Sequence, residues 1–260
     1  MSKEMLIHDR SPTPLKVWVA GASGFCGRGI THFLAADPRF EVLPHIRPSS
    51  SRRSRLEQEW LREGLTPVIC DWDAVEAMLI THQPHVIIGC LGTTKKHAKQ
   101  GGGSYEEVDY GLTIKLMEAA TQLNNAPHFV YISSMGADWG KWSTYLNARL
   151  RVEQALEDSS LSYSIIRPAI LAGESRDEHR AGEAFGEWLS HAFANLFRRL
   201  KLRHLSYRVQ PLDAPEMATF VGLILEHFDR SRDQEKVSIR HTYTVDMIHR
   251  ALETRTLSLS

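Results

Sequence analysis

The sequence predicts an α/β fold, a doubly wound parallel sheet with a small C-terminal region. Three observations predict it. Short apolar segments alternate with helical segments about six times between residues 15 and 167. Glycines follow the first apolar segment directly, and turn residues separate most of the later ones. This alternation is typical of parallel strands joined by crossover helices that cover both faces of a sheet.

The predicted strands are short runs rich in apolar and β-branched residues, which is typical of strands buried on both faces. The fourth contains Val86-Ile87-Ile88 and is the clearest. In chain order, the predicted strands span 15–20, 40–46, 67–70, 84–90, 128–133 and 163–167.

The predicted helices lie between these strands. The first follows the glycines and ends at Asp37-Pro38, because proline disfavours helical backbone at the residue before it. In chain order, the predicted helices span 25–36, 56–63, 74–81, 106–123 and 142–157. Beyond residue 167 the pattern loosens. We expect an extended leader at 1–14 and a single domain at 15–260, in which 168–260 form the substrate side of the ligand cleft.

The C-terminal third contains one strongly amphipathic segment. Apolar residues recur there at helical spacing, and basic residues follow them. We interpret it as a helix of the core or the substrate pocket, and a peripheral membrane or protein contact through 185–204 is the alternative. Asp213 is predicted to cap a later helix.

Composition argues against several classes of function. The formal net charge is +0, which does not favour a nucleic-acid partner. Cys26, Cys70 and Cys90 lack paired spacing, so they predict neither a disulfide framework nor a zinc site, and the 13 histidines are scattered. We therefore expect no metal ion. Unpaired cysteines and the lack of a secretory signal lead us to expect the cytoplasm.

A glycine turn separates the first predicted strand from the first predicted helix, where α/β proteins place a dinucleotide-binding turn. Its glycines allow a tight turn, a close approach of backbone to a pyrophosphate, and close packing of helix on sheet. The helix N-terminus adds N–H groups and a positive dipole end. The residues of this turn predicted to bind the cofactor are Gly21, Ser23, Gly24, Phe25, Cys26 and Gly27.

The end of the second predicted strand indicates which nucleotide binds. Arg47 stands there, where NAD-binding proteins place an acidic residue, whereas Glu41 lies at the start of the strand. A guanidinium suits the 2′-phosphate of NADP, so we predict NADP (NADPH), bound by Arg47. Arg52 and Arg53 are either further ligands or part of a solvated loop. Asp71, after the third strand, is predicted to frame the adenine.

Candidate catalytic side chains follow the fifth predicted strand. Ser133 and Ser134 stand at its end, and Tyr145 and Arg149 lie four residues apart on the next helix. Residues at this spacing share one face of a helix. That face can point to the C-terminal edge of the sheet, where open α/β sheets bind ligands.

Taken in order, these segments resemble the short-chain dehydrogenase/reductase superfamily, most closely its atypical, epimerase/dehydratase-like branch. The resemblance covers more than half of the chain. The matching segments are Gly21-Ala22-Ser23-Gly24-Phe25-Cys26-Gly27, Leu91-Gly92-Thr93-Thr94, Val108-Asp109-Tyr110, Ile132-Ser133-Ser134-Met135-Gly136-Ala137-Asp138, Tyr145 with Arg149, and Ile166-Arg167-Pro168.

The resemblance implies a Rossmann fold, an NADP cofactor and a Ser–Tyr–Lys constellation. By position, Ser134 is the serine that orients the substrate oxygen, and Tyr145 is the acid/base. The remaining implied cofactor contacts are Leu91, Gly92, Thr93, Ser133, Tyr145, Arg149 and Pro168.

The chain departs from the family motif at Arg149, where the family has lysine. A cation at this position favours ionisation of a nearby phenol and can bind the nicotinamide ribose. Arginine supplies the charge but cannot give up a proton as lysine can. Asp109 stands where extended members of the superfamily often have asparagine.

We therefore expect an NADP-dependent oxidoreductase that acts on a carbonyl or alcohol of a small molecule. The alternative is an NADP-binding regulatory or assembly protein with little or no turnover, which Arg149 and the basic amphipathic segment favour. A sugar-nucleotide epimerase is a third possibility, although the substrate-side segment is short for one.

Overall fold

The computed structural model describes residues 13–93, 101–169, 171–172, 212–232 and 238–257. Its strands are β1 Leu15–Ala20, β2 Phe40–Ile46, β3 Val68–Ile69, β4 Val86–Gly89, β5 His128–Ile132, β6 Ser162–Ile166, β7 Leu171–Ala172, β8 Leu212–Asp213 and β9 Arg240–Tyr243. Its α-helices are α1 Phe25–Ala35, α2 Arg53–Arg62, α3 Val75–His82, α4 Leu112–Thr121, α5 Thr144–Asp158, α6 Ala214–Arg232 and α7 Val245–Thr254. A π-helix spans Tyr105–Gly111 and a 3₁₀ segment spans Ala137–Trp142.

The main sheet has seven parallel strands in the order β3-β2-β1-β4-β5-β6-β9. The chain winds outward from β1 to β3 and then, from β4, outward in the other direction. This arrangement confirms the predicted doubly wound sheet. The reversal lies between β1 and β4, where Ala20 pairs with Gly89. A crevice opens at such a point beyond the carboxyl ends of the strands.

Two apolar layers bury the sheet, and the alternation of side chains along each strand divides the residues between them. In β1, Val17 and Val19 pack into one layer, while Trp18 and Ala20 pack into the other. The first layer holds residues of α1, α2, α6 and α7, and the second holds residues of α3, α4 and α5. Helices on both faces explain why the strand sequences are apolar almost throughout.

The helix predicted at 106–123 is two elements. The π-helix begins with a capping box, in which the Ser104 hydroxyl accepts from the Glu107 N–H and the Glu107 carboxylate accepts from the Ser104 N–H. Its wider turn continues into α4 at Leu112. Isolated π-helical turns often occur at functional sites. This one carries Asp109, which is fully buried.

The C-terminal region supplies two features to the described structure. The edge strand β9 pairs with β6, although the sequence patterns did not predict a strand there. Asp213 caps α6 as expected, because its carboxylate accepts from the Glu216 N–H. The amphipathic segment 185–204 lies outside the described residues, so its predicted contacts stay predictions. Within the described ranges, no helix has the length and apolarity needed to cross a membrane.

The buried side chain of His128 makes the stability of the fold depend on pH. Its ring nitrogens lie 2.7 and 2.9 Å from the hydroxyls of Ser162 and Ser164, and its ring stacks on Phe228. Burial lowers the pKa of His128 to about 3. Below its ordinary pKa of 6.5, the unfolded chain therefore binds a proton that the folded chain does not. As the pH is lowered from about 6 to about 3, the free energy of unfolding should therefore fall by about 1.4 kcal/mol per pH unit.

Denaturant unfolding across this pH range measures the effect. His128→Gln should be less stable than the parent at neutral pH, because it disturbs the packing. Its deficit should shrink as the pH falls, since the variant lacks the titrating group. Parallel stability curves for the two proteins would show that His128 titrates in the folded state much as it does in the unfolded chain.

Candidate active site

The glycine turn has the geometry of a phosphate-binding turn. Gly21 has φ +81°, and a Cβ atom there would lie 2.6 Å from the Cys90 carbonyl oxygen, so only glycine fits. The Gly24 N–H donates to the Gly21 carbonyl at 2.9 Å. Helix α1 then begins with Phe25, followed by Cys26. Its N-cap residue is Gly24, which has no side-chain oxygen to accept from the first backbone N–H groups of the helix. Such an N-terminus attracts an anion.

A cleft of about 600 Å³, including its part open to solvent, lies at the reversal point of the sheet. Six of the predicted cofactor residues line it: Gly21, Ser23, Gly24, Arg47, Leu91 and Gly92. The turn after β1, the end of β2 and the segment after β4 thus meet at one site. They meet because the carboxyl ends of parallel strands lie along the same edge of the sheet.

Two arginines lie at the end of the cleft next to β2. Arg47 is exposed and lines the cleft directly. The Arg52 guanidinium donates from Nη1 to the Ser23 carbonyl at 3.1 Å, which brings it against the glycine turn. Arg53 and Arg55 instead form ion pairs with glutamates along α2. Arg52 is therefore a candidate ligand that sequence reasoning left undecided, because only the fold brings it to Ser23.

Aromatic residues form the wall of the cleft near β2 and β3. Trp72 and His45 line the cleft, and their rings meet edge to face with centroids 5.1 Å apart. Burial lowers the pKa of His45, so its imidazole is neutral at physiological pH. Asp71, predicted to frame the adenine, is exposed beside Trp72. The sequence offered no pattern that would single out Trp72 or His45.

The two serines at the end of β5 have different surroundings. The Ser133 hydroxyl is buried and donates to Glu153 of α5 at 2.5 Å, and Glu153 also pairs with Arg167. Ser134 is half-buried, and its hydroxyl makes a 3.3 Å contact with the Met135 carbonyl. The structure thus ties Ser133 into the fold and leaves the Ser134 hydroxyl with a weak local contact. The cofactor role predicted for Ser133 stays a prediction.

The backbone after β6 holds this serine segment in place. Pro168 is buried, and its carbonyl accepts from the Met135 N–H at 2.8 Å. The Ser133 N–H donates to the Ile166 carbonyl at 2.8 Å. Two adjacent strand ends therefore hold the turn around Ser134, which is the rigidity that an oriented hydroxyl needs.

Tyr145 and Arg149 meet on one face of α5, as their spacing predicts. The guanidinium carbon of Arg149 lies 5.2 Å from the centre of the Tyr145 ring. Tyr145 is half-buried, and its ring packs against that of Tyr105 with centroids 5.3 Å apart. The Tyr145 ring therefore stands beside a cation. Ser134, Tyr145 and Arg149 are not among the described residues that line the cleft.

Arg149 is held from several sides. Its Nη2 lies 2.8 Å from Oδ1 of Asp109, and Nη1 donates to the Tyr131 hydroxyl at 3.1 Å and to the Ile132 carbonyl at 2.9 Å. Arg149 is 6% exposed and Asp109 is 0% exposed. A Cβ atom on Gly92 would lie 2.7 Å from Nη2, so glycine there makes room for the guanidinium.

Burial and two neighbouring donors act in opposite directions on the pKa of the Asp109 carboxylate. Burial raises the pKa of Asp109, whereas the charge of Arg149 and the Thr93 N–H oppose that rise. The Thr93 N–H donates to Oδ2 at 2.9 Å. The π-helix, the segment after β4 and α5 are thereby joined at a single buried ion pair.

Several buried polar atoms around the cleft fit a bound dinucleotide. Trp72 Nε1, Thr93 Oγ1 and Arg149 Nε have no hydrogen-bond partner within the described structure. A buried donor without an acceptor costs about 1–3 kcal/mol. A nicotinamide dinucleotide carries hydroxyl, carbonyl and ring-nitrogen acceptors that would satisfy such groups. The donors and the glycine turn together fit this cofactor.

One further cluster of polar side chains joins two helices on the outer surface. His32 of α1 has Nε2 3.2 Å from Glu59 and Nδ1 2.8 Å from Glu63, at the end of α2. Because both ring nitrogens face carboxylates, the three side chains fasten α1 to α2. The expected absence of a metal ion stays a prediction.

Comparison with known proteins agrees with this geometry. Residues 21–190 match the NAD(P)H-binding family. The mitochondrial protein FMP52 of Candida glabrata is 28% identical over 194 residues, which cover 74% of this chain and 78% of that protein. Protein HTATIP2 of Rattus norvegicus is 28% identical over 179 residues, covering 68% and 69%. A UDP-glucuronic acid 4-epimerase of Bacillus cereus superposes with a TM-score of 0.60 at 13% identity, covering 94% and 85%.

The expectation of a cytoplasmic location is wrong. The FMP52 relatives from Candida glabrata, Lodderomyces elongisporus and Aspergillus terreus are mitochondrial proteins. The expectation rested on cysteines that are indeed unpaired. Free thiols indicate a reducing compartment, and they do not distinguish one such compartment from another.

The family match spans more than half of the chain, and the strand order, the glycine turn and the cleft have the form that this match requires. The chain therefore belongs to the NAD(P)H-binding family, and it is an NAD(P)-binding Rossmann protein similar to the atypical short-chain dehydrogenases/reductases.

Proposed function

We propose that the protein is an NADP-dependent oxidoreductase that interconverts a carbonyl and an alcohol of a small molecule. The observation that carries this proposal is the packing of the Tyr145 ring against the guanidinium of Arg149, which also donates to the Ile132 carbonyl at the end of β5. A phenol beside a fixed cation, next to a nucleotide cleft, suits proton transfer coupled to hydride transfer.

The proposed roles follow from the surroundings of each side chain. When bound, the nicotinamide supplies or accepts the hydride. Tyr145 gives a proton to the carbonyl oxygen in reduction and accepts one from the alcohol in oxidation. Ser134, whose hydroxyl makes one weak local contact within the described residues, donates to the same oxygen and orients it. Arg149 keeps its Nε–H for the cofactor, because Tyr131, Ile132 and Asp109 already engage both of its terminal nitrogens.

Two cations support NADP over NAD. Arg47 is exposed at the mouth of the cleft, and Arg52 lies against Ser23 of the glycine turn. A ribose 2′-phosphate bound between them would form charge-assisted hydrogen bonds. In NAD the hydroxyl at that position carries no charge, so it gains little from either guanidinium.

Thermal melting with NADPH, NADP, NADH and NAD at matched concentrations tests the cofactor. A ligand that binds only the folded protein raises the melting temperature. We expect a clear rise with the phosphorylated pair and a smaller one with the other two. Arg47→Met should weaken NADPH binding by about 10- to 100-fold, which corresponds to the loss of one or two charge-assisted contacts, and leave NADH binding unchanged.

Arg55→Met is the matched control, because Arg55 is highly exposed and faces Glu59 along α2 rather than the cleft. With each of the four dinucleotides, this variant should show the same rise in melting temperature as the parent. Equal shifts with NADH and NADPH in the parent would contradict the NADP preference. If no dinucleotide raised the melting temperature, cofactor binding itself would be refuted.

The second candidate function is a cofactor-binding regulatory or assembly protein with little turnover. The locked state of Arg149 favours it, because a guanidinium held by Asp109, Tyr131 and Ile132 cannot shuttle a proton. The two functions predict the same cofactor binding. They differ in whether any carbonyl substrate is turned over. Under either function, the likeness to FMP52 proteins supports a mitochondrial location.

A further inference from the structure

A cluster of three potential metal ligands lies on the outer surface, where α1 packs beside the end of α2. It consists of His32 of α1 with Glu59 and Glu63, the latter being the C-cap of α2. Each side chain offers one ligand atom, and the three atoms lie within 4.8 Å of one another. None of the three is among the described residues that line the cofactor cleft. The proposed function therefore makes no use of them.

The imidazole of His32 contacts a carboxylate at each of its two nitrogens. Nδ1 lies 2.8 Å from Oε2 of Glu63, and Nε2 lies 3.2 Å from Oε1 of Glu59. A neutral imidazole has one N–H donor and one lone pair, so it donates to only one of these oxygens. We assign the proton to Nδ1, because the 2.8 Å contact is the shorter of the two. The lone pair of Nε2 then faces an oxygen of Glu59.

Two groups that only accept hydrogen bonds are stable at this distance if a cation lies between them. The negative charges add to this need, since Glu59 and Glu63 are four residues apart on α2 and repel each other. Arg55 lies near Glu59, but its Nε is 4.0 Å from Oε2, on the other side of the carboxylate. Oε1 of Glu59 therefore still faces the ring nitrogen.

The spacing of the ligand atoms suits a tetrahedral transition-metal ion. Zinc binds histidine nitrogen and glutamate oxygen at about 2.0–2.2 Å, which places two ligands of a tetrahedral site about 3.4 Å apart. Nε2 of His32 and Oε1 of Glu59 are 3.2 Å apart, so both can bind one ion with little movement. The side chains of His32 and Glu59 are 33% and 32% exposed, which allows an ion and its water to reach them.

Glu63 supports this site from the opposite side of the ring. A histidine that binds a metal commonly donates its other N–H to a carboxylate, which fixes the tautomer and the orientation of the ring. The contact between Nδ1 of His32 and Glu63 has this form. The three side chains thus have distinct roles, two as ligands and one as the group that orients the imidazole.

We propose that His32 and Glu59 bind a divalent transition-metal ion of the zinc type, with water completing its coordination and Glu63 orienting the imidazole. An imidazole nitrogen suits zinc, whereas magnesium and calcium prefer oxygen ligands alone. The ion joins α1 to α2 and stabilises the fold. This proposal replaces the expectation of no metal ion, which rested on spacing along the chain. His32 lies 31 residues before Glu63, and only the fold brings them together.

Zinc binding to the purified full chain, freed of metal with a chelator, tests the proposal. Isothermal titration with zinc chloride measures affinity and stoichiometry, and melting curves measure stabilisation. We expect one zinc ion per chain at this site and a rise in melting temperature. His32→Gln and Glu59→Gln should each weaken zinc binding by more than about 10-fold, since the loss of even an outer partner of a metal ligand has an effect of this size.

Glu57→Gln is the matched control, because Glu57 lies on the same helix and pairs with Arg53 instead. It should leave the zinc affinity unchanged. Cobalt(II) serves as a spectroscopic probe of the ligands. Bound by nitrogen and oxygen, it should give weak visible absorption bands without the strong near-ultraviolet band of a thiolate ligand. That band would reveal binding by the free cysteines and count against this site.

Zinc affinity that is the same in His32→Gln, Glu59→Gln and the parent would overturn the proposal. Calcium binding as tight as zinc binding would overturn the assignment to a zinc-type ion, since it would show that the carboxylates bind cations without the imidazole. If zinc failed to bind the parent, the cluster would be a contact between two helices held by a proton alone. None of these outcomes depends on the proposed oxidoreductase function.

Discussion

Replacing Arg149 with methionine should destabilise the protein by about 3–5 kcal/mol, because the substitution leaves the Asp109 carboxylate buried without its counter-ion. The two groups lie 2.8 Å apart, and Asp109 is 0% exposed. Methionine keeps much of the apolar stem of arginine, so the expected loss reflects the charge and the hydrogen bonds to Tyr131 and Ile132. Denaturant unfolding at neutral pH measures it.

Arg151→Met is the matched control on the same helix. Arg151 pairs with Glu106 at the surface and lies over the Tyr110 ring, and its side chain is 37% exposed. An exposed pair of this kind contributes about 0–1 kcal/mol. Equal losses of unfolding free energy in the two variants would show that the buried pair contributes no more to stability than the exposed one.

The deficit of the Arg149→Met variant should also depend on pH. Burial already raises the pKa of Asp109, and Arg149 opposes that rise, so its removal should raise the pKa further. The folded variant then holds its proton more tightly than the unfolded chain does. Its stability should therefore recover as the pH falls through the raised pKa, and be lowest above it.

Tyr145→Phe should lower turnover by about 10²- to 10⁴-fold while leaving the NADPH-induced rise in melting temperature intact. The phenylalanine ring still packs against Tyr105 and Arg149, so only the proton donor is lost. Initial rates of NADPH oxidation with a panel of carbonyl compounds, together with melting curves, measure the two effects separately.

Tyr163→Phe is a suitable control, because Tyr163 is buried in β6, with the guanidinium of Arg240 over its ring. It should leave the rate unchanged. Full activity in Tyr145→Phe would remove Tyr145 from the mechanism. A parent protein that binds NADPH but turns over no compound of the panel would favour the regulatory alternative.

The sequence predicted those parts of the site that depend on local spacing. Gly21, Gly24 and Gly27 predicted the turn, since positive φ and close backbone approach leave few other residues possible. Tyr145 and Arg149 predicted a shared helix face, since residues four apart point the same way.

Contacts between distant segments were not predictable in this way. Arg52 reaches Ser23, and Trp72 lines the cleft, because β2 and β3 pack beside β1 in the folded sheet. Strand β9 joins the sheet edge although its residues, Arg240–Tyr243, are mostly polar and carry no strand pattern. The π-helix was interpreted as part of one long helix, because a single wider turn leaves no distinct spacing in the sequence.

By itself, the sequence determined the doubly wound α/β fold, the position of the nucleotide turn and the helix face that carries Tyr145 with Arg149. These features follow from backbone sterics and side-chain periodicity, which act over a few residues. Only the tertiary structure decided that Asp109 pairs with Arg149 and that Glu153 engages Ser133. Both contacts join separate elements in a dry interior, where a buried charge or hydroxyl is stable only if the fold brings it a partner.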